Sequence, residues 1–338
     1  MTPAALAPDD LVLALETSCD DTCAAIVTGS GEIRSNVISS QEVHDAFGGV
    51  VPEVASRHHL ELVNVVVDDA LRRAGASLDD VALVAATQGP GLVGALLVGL
   101  ATAKGIAAAR ELPFAPVDHL QGHVAASFLG PDALEPPFVC LVASGGHTFL
   151  ARVDDHASFT VLGATLDDAA GEAFDKGARL LGLPYPGGPH LERLARGGDP
   201  AAFTFPTAAG VTGLDFSFSG VKTALLYAIR DLGPEAAAAQ AADLAASYQH
   251  AIVEALAQRV ERALARTGLD ALALGGGVAA NGPLRERLAG VAGRVAVPPR
   301  ELCTDNAAMI GSAARWVAPQ PFPAYLGLDV YATGARDL

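Results

Sequence analysis

The stretch "LVLALETSCDDTCAAIV" (Leu11–Val27) decides the fold. Leu11–Thr17 is an apolar run, Ser18–Asp21 is a polar turn, and Thr22–Val27 returns apolar. That pattern reads as a strand and its hairpin partner. The chain makes a second start at "FVCLVASGGHTFLARV" (Phe138–Val153), again strand, tight polar turn, strand. The two segments share few letters, but the repeated plan implies two lobes. The boundary between them falls in "GPDALEPP" (Gly130–Pro137).

Outward from these hairpins, short apolar runs alternate with helical stretches, which places the chain in the α/β class. Pro52 opens a helix that stops at Gly75, after the loop "GGVVPE". Val81–Thr87 reads as a strand, followed by a glycine-rich turn and an apolar helix from about Leu92. An alanine-rich helix fills the 230s to 260s, "LDALALGGGVAAN" is a buried strand ending in three glycines, and "DNAAMIGSAARWV" is the last helix. The expected first lobe is residues 1–133 completed by 304–338, and the second is 134–303.

Composition narrows the function classes. The chain has 338 residues, 51% of them hydrophobic, enough for a sizeable core. Its most apolar run, "GLVGALLVGLATAKGIAAA", is interrupted by Lys104, so no membrane span is expected. The start "MTPAALAPDD" lacks the pattern of a secretory signal. Four scattered cysteines make no disulfide framework, and a cytoplasmic protein is the expectation. A formal charge of −16 argues against nucleic-acid binding by the surface as a whole. It leaves room for a local basic patch or a partner that supplies one. Among 22 basic residues only Lys104, Lys176 and Lys222 are lysines, which singles them out.

"GPGLVG" (Gly89–Gly94) fits the dinucleotide fingerprint, with Asp118 at a tolerable distance for a ribose. The motif follows the second main strand, however, and Asp118 abuts a histidine pair. Glycines that admit close packing of helix on strand are the better reading. Three other glycine-rich turns follow apolar strands. "VASGGH" (Val142–His147) offers free backbone amides for an anion, or is an ordinary hairpin turn. "LGGGVAAN" (Leu274–Asn281) bares the backbone at a helix start, where Asn281 contacts a nucleotide or caps the next turn. "YPGGPHLERL" (Tyr185–Leu194) is a rigid turn with Glu192 four residues past Gly188. No Walker A loop occurs.

"DHLQGH" (Asp118–His123) places His119 and His123 at i and i+4, within reach of one ion if the segment is helical. A catalytic metal needs a third ligand, for which "CTDNAAMIG" offers Cys303 and Asp305, although Asp305 also suits a helix N-cap. A zinc-protease signature would require a glutamate after the first histidine, and Leu120 stands there.

Nine motifs occur in order: "LALETSCDDT", "GGVVPEVASRHH", "TQGPGLVGALLVG", "DHLQGHVAASF", "LVASGGHT", "DDAAGEAFDKGARLLGLPYPGG", "FSFSGVKTALL", "GGGVAANGPLRERL" and "CTDNAAMIGSAA". Together they closely resemble the tRNA adenosine threonylcarbamoyltransferase family, specifically its bacterial catalytic subunit, over roughly Leu11–Trp316. The resemblance implies an α/β fold of two ribonuclease-H-like lobes of the actin, hexokinase and Hsp70 type, with a nucleotide cleft between them. It implies transfer of a threonylcarbamoyl group from threonylcarbamoyl-AMP to N6 of the adenosine beside the anticodon in tRNAs reading ANN codons. An ATPase or kinase of the same fold, or a nucleotide-bound scaffold, is the alternative that the phosphate turns alone permit.

Carried over by motif, the implied metal ligands are His119, His123 and Asp305, holding one divalent ion, iron(II) or zinc(II). The implied adenylate contacts are Val142, Ala143, Ser144, Gly145, Gly146, Asp175, Gly188, Glu192 and Asn281, for threonylcarbamoyl-AMP, ATP or AMP. Two positions depart from the family pattern: Gln121 where many bacterial relatives carry an acid, and Ala143 where Val is commoner. Glu16 and Asp20, with Asp21, are the candidate general bases of the first hairpin. Lys176 and Lys222 lie inside motifs and are assigned either to phosphate or tRNA contact or to surface ion pairs. The implied partners are tRNA, a paralogous subunit and a small ATPase. The helix from Pro52 suits a helix-bundle interface, or Arg57, His58 and His59 face tRNA.

Overall fold

Continuous runs of buried residues, covered on both faces, make the opening hairpin, and the strands follow in chain order. They are β1 (Leu11–Glu16), β2 (Asp21–Thr28), β3 (Ile33–Ser40), β4 (Val81–Gly89), β5 (Phe114–Asp118), β6 (Phe138–Ala143), β7 (Thr148–Val153), β8 (Thr160–Ala164), β9 (Ala271–Gly275) and β10 (Arg294–Ala296). The helices are α1 (Pro52–Ala74), α2 (Val93–Ala109), α3 (His119–Ala125), α4 (Ala170–Leu180), α5 (Gly187–Ala195) and α6 (Ser219–Leu232). After them come α7 (Pro234–Ala239), α8 (Ala241–Thr267), α9 (Gly282–Leu288), α10 (Arg300–Cys303) and α11 (Ala307–Ala314). The computed structural model describes residues 6–41, 43–44, 49–207 and 210–332. Gly48 of the "GGVVPE" loop, and residues 1–5 and 333–338 of the expected first lobe, lie outside them.

The chain divides into two compact units, one of Met1–Glu135, Asp155–Ser158 and Thr304–Leu338, the other of Pro136–Asp154 and Phe159–Cys303. The sheet of the first has the order β3-β2-β1-β4-β5, that of the second β10-β9-β6-β7-β8. Read from the opposite edge, the second repeats the first: an antiparallel three-strand meander whose first strand pairs parallel with the next strand in line. The hairpin echo in the sequence is therefore a true repeat of topology, the ribonuclease-H-like plan twice over.

Two positions of α1 explain its limits. Pro52 stands in the first turn, where its missing N–H costs nothing, and Gly75 ends the helix in the left-handed conformation (φ 65°). In the first unit Leu13, Leu15, Ile26, Val63, Val67, Val84 and Leu100 form the core between sheet and helices. In the second unit the buried face of α8, with Leu244, Ile252, Leu256 and Val260, covers the sheet. Among the described residues no helix is long and apolar enough to cross a membrane.

The parallel strands position the chemistry. In the first unit β1, β4 and β5 run together, which brings Glu16, Thr87 and Asp118 to one end of the sheet. In the second, parallel β6 and β9 bring Ala143 and Gly275 to one end. Carboxyl ends of parallel strands are where α/β proteins place ligands.

Candidate metal centre and nucleotide-binding turns

α3 begins at His119 because Asp118 caps it. One carboxylate oxygen of Asp118, Oδ1, accepts from the amides of Leu120 (2.9 Å) and Gln121 (3.2 Å). His119 and His123 then share a helical face, with ring centroids 4.6 Å apart. Gly122, between them, admits α11: a Cβ there would fall 2.7 Å from Ile310 Cδ1. The cap of α11 is Asn306, whose side chain accepts from Met309 N at 3.0 Å. Asp305 is thus not the N-cap that its position allowed, and its carboxylate faces the histidines. Asp305 Oδ1 lies 3.2 Å from His123 Nε2 and 3.7 Å from His119 Nε2. The three ligand atoms all lie within 4.8 Å of one another. Cys303, the other candidate third ligand, belongs to the second unit, with its thiol against Arg285 and the Pro298 carbonyl.

Two observations test whether this trio suits a cation. Both ring nitrogens of His123 are buried and make no hydrogen bond; Nε2 has the distance to Asp305 but not the alignment. A buried imidazole left so is costly unless a ligand satisfies it. The second observation is Glu16. Its Oε2 lies 3.0 Å from His119 Nδ1 and accepts from Thr87 Oγ1 at 2.5 Å, and its Oε1 accepts from the Ser18 amide. A carboxylate behind Nδ1 holds the proton on that nitrogen and leaves the Nε2 lone pair toward Asp305, the usual arrangement behind a metal-binding histidine. Two histidines and a carboxylate suit iron(II) or zinc(II).

The electrostatics agree. Burial pushes the Glu16 carboxyl up, but the charge and hydrogen bond of His119 outweigh it and hold it below its ordinary value. Burial pulls His119 down, yet Glu16 and Asp305 lift it to about 9. The pocket carries surplus negative charge that a proton or a metal cation must offset. Glu16 is 1% exposed and committed to three donors. These contacts place it behind His119. Asp20 is half-buried, and its main-chain carbonyl accepts from Gln41 N.

Of the two sequence readings of α1, the one that turns His59 toward tRNA does not hold for this residue. It is fully buried, 2.9 Å from the Cys19 carbonyl through Nε2 and 2.8 Å from Thr22 Oγ1 through Nδ1. A carbonyl only accepts, so Nε2 carries the proton and Nδ1 receives the Thr22 hydroxyl. His59 therefore braces the turn that follows Glu16. Arg57 is exposed and paired with Glu53.

In the second unit the turn after β6 closes the β6–β7 hairpin. Ser144 N donates to the His147 carbonyl (2.7 Å) and His147 N to Ser144 Oγ (3.1 Å). Gly145 and Gly146 are exposed, with nothing near their missing side chains. Val142 and Ala143 are buried in β6 and paired in the sheet. α4 starts against this turn: Gly171 N donates to the Ser144 carbonyl, and a Cβ on Gly171 would sit 2.6 Å from that oxygen. Gly276, at φ +82°, passes so close to the Ala143 carbonyl that a Cβ would fall 2.3 Å away.

Asp175, on α4, accepts from the amides of Gly187 (2.7 Å) and Gly188 (3.2 Å) at the start of α5. Burial raises its pKa in spite of those bonds. Asn281 caps α9 through Leu284 N, and its amide donates to Glu192 Oε2 (3.2 Å) and Gln249 Oε1 (2.9 Å). Capping, the plainer of its two sequence readings, is realised. Gln249 escaped the sequence reading because a lone glutamine on a long alanine-rich helix carries no signal. Lys176 and Lys222 both pair with Asp168, at 2.8 and 3.3 Å, so they are ion-paired lysines.

The glycines of "GPGLVG" are filled by protein. A Cβ on Gly89 would fall 2.3 Å from the Tyr331 carbonyl, and one on Gly91 2.6 Å from that of Ser18. No room remains there for a pyrophosphate.

The family described as TsaD, tRNA N6-adenosine threonylcarbamoyltransferase, matches residues 32–312. Curated relatives with that description include one from Clostridium perfringens strain SM101, 51% identical over 312 residues, covering 90% of this chain and 91% of its own. One from Clostridium botulinum strain 657 is 50% identical over 309 residues, with the same coverage. Among solved structures, HypF of T. kodakarensis aligns with a TM-score of 0.62 at 16% identity, over 92% of this chain and 48% of its own. Component A of the (R)-2-hydroxyglutaryl-CoA dehydratase of Acidaminococcus fermentans aligns at 0.55 and 16%, over 92% and 98%. At such identities these two show the fold alone.

Proposed function

The chain belongs to the tRNA N6-adenosine threonylcarbamoyltransferase family, and on that premise we propose that it passes threonylcarbamoyl from threonylcarbamoyl-AMP to N6 of the adenosine beside the anticodon in ANN-reading tRNAs. The observation that carries the site assignment is the His119–His123–Asp305 trio with Glu16 behind His119. A kinase or ATPase has no need of that trio.

In the transfer, the amine attacks the carbamoyl carbon, the bond from that carbon to the phosphate oxygen breaks, and AMP leaves with the electron pair. The donor is an activated mixed anhydride, so no ATP need be split at this step. A bound iron(II) or zinc(II) ion supplies Lewis-acid polarisation and a template for the threonylcarbamoyl group. His119, His123 and Asp305 hold it, and Glu16 keeps His119 in the ligating tautomer. The Gly145 and Gly146 amides take the phosphate. Asp175, Gly188, Glu192 and Asn281 take the nucleoside, with Gln249 fixing the Asn281 amide. Adenine N6 is a weak nucleophile, so orientation supplies much of the rate. Asp20 and Asp21 are the candidates to receive its proton.

We assign tRNA, a paralogous subunit and a small ATPase as partners. Leu60 and Val65 on α1, 67% and 62% exposed, with Val93 and Leu97 on α2, support a helical docking face. A tRNA-modifying role places the protein in the cytoplasm. The decisive experiment combines metal-loaded protein, threonylcarbamoyl-AMP, partner proteins and unmodified tRNA, with modified adenosine read by mass spectrometry. Product is expected from wild type and none from His119→Ala or His123→Ala, both of which lose metal. No product from the wild type would sink the assignment.

A further inference from the structure

We infer that the segment Gln320–Tyr331 is a strap that positions the metal-bearing helix through one hydroxyl group. Gln320 exchanges backbone hydrogen bonds with Phe114 of β5 (2.9 and 2.8 Å), and Tyr325 is buried with its ring 5.4 Å from that of Phe114. Lys104, on α2, then donates to the carbonyls of Leu326 (3.0 Å) and Leu328 (2.7 Å). Gln88 holds the Asp329 carbonyl (2.7 Å) and accepts from Tyr331 N (3.2 Å), where the chain crosses the bare backbone of Gly89. The path ends with Tyr331 Oη donating to Asp118 Oδ2 at 2.5 Å.

The two oxygens of Asp118 are thus divided: Oδ1 caps α3, and Oδ2 is held by the strap. A hydroxyl on a carboxylate is a strong, directional bond. It fixes the carboxylate plane, hence the first turn of α3, and so the imidazole of His119. Lys104, which the sequence singles out without giving it a task, serves this path, and Gly89, read there as a packing glycine, lets Tyr331 pass close. Tyr331 is a positioning residue, and its importance for catalysis rests on the metal reading above.

The test is Tyr331→Phe in the full chain, which keeps the ring and removes the hydroxyl. Amide exchange at Leu120 and Gln121 should speed up several-fold while amides of β1 and β4 stay as in wild type. Zinc affinity, measured against a chromophoric chelator, should weaken about three- to tenfold, less than for a direct partner of a ligand. Lys104→Met, which releases the strap without touching Asp118, should shift both readouts in the same direction. Wild-type exchange at Leu120 and Gln121 in Tyr331→Phe overturns the strap, as does a uniform rise across the whole unit. A wild-type protein that takes up no zinc overturns the metal reading instead, and the exchange experiment still decides the strap.

Discussion

Glu16→Gln removes one charge at nearly constant shape, and the structure says why that change cannot be neutral. Oε1 accepts from the Ser18 amide, while Oε2 accepts from Thr87 Oγ1 and faces His119 Nδ1. A carboxamide has one oxygen and one NH2 for these two ends. If its oxygen stays on Ser18, the NH2 faces Nδ1 and forces the proton of His119 onto Nε2, removing the lone pair a metal needs. If its oxygen faces His119, the NH2 abuts the Ser18 N–H, donor against donor, in a site where Glu16 is 1% exposed. Either arrangement loses a charge-assisted hydrogen bond, worth about 1.5–3 kcal/mol. Metal affinity should therefore fall roughly ten- to a hundredfold. The assay is titration of metal-free wild type and variant with cobalt(II) or zinc(II) against a competing chelator, with circular dichroism to verify folding. A folded Glu16→Gln protein with wild-type metal affinity would refute the orienting role and the tautomer it implies.

Asp21 offers a pH signature. Its carboxyl is pushed up to about 7, by burial first and then by the charges of Asp305, Asp20 and Glu16, against a Ser40 hydrogen bond. The folded state then binds this proton more tightly than the unfolded state does, so the contribution is complete below about pH 4 and is lost as pH rises to 7. The loss is on the order of 4 kcal/mol. Urea unfolding of metal-free protein between pH 4 and 8 should show Asp21→Asn with the shallower decline, and equal slopes would discard the idea. In the second unit, Gly171→Ala drives a methyl group into the Ser144 carbonyl and the Gly145 backbone, which cannot rotate away. A destabilisation of about 1–3 kcal/mol and weaker AMP binding by calorimetry are expected, with metal affinity unchanged. Undiminished AMP affinity would show that α4 does not shape the turn after β6.

Local sequence was enough for the hairpin starts, the limits of α1 and the shared face of His119 and His123, because each depends on periodicity or on a residue's own backbone preference. It also excluded the protease and, with the nine motifs in order, pointed to the family. Tertiary structure decided what those residues touch. Asp305 and Asn306 are adjacent and both able to cap a helix; the backbone entering α11 gave the cap to Asn306 and freed Asp305 for the histidines. Glu16 and His119 are 103 residues apart, and nothing in either neighbourhood announces their pairing. The strand order does, by running β1, β4 and β5 parallel so that their ends meet. A tRNA-facing His59 stood as one alternative because a helix pattern marks a face but not what lies beneath it; the β1–β2 turn lies there. Residue types and their local spacing set which chemistry was available. Only the packing of distant strand ends set which atoms share a proton, a charge or an ion, because those energies fall off within a few ångströms and take no account of separation along the chain.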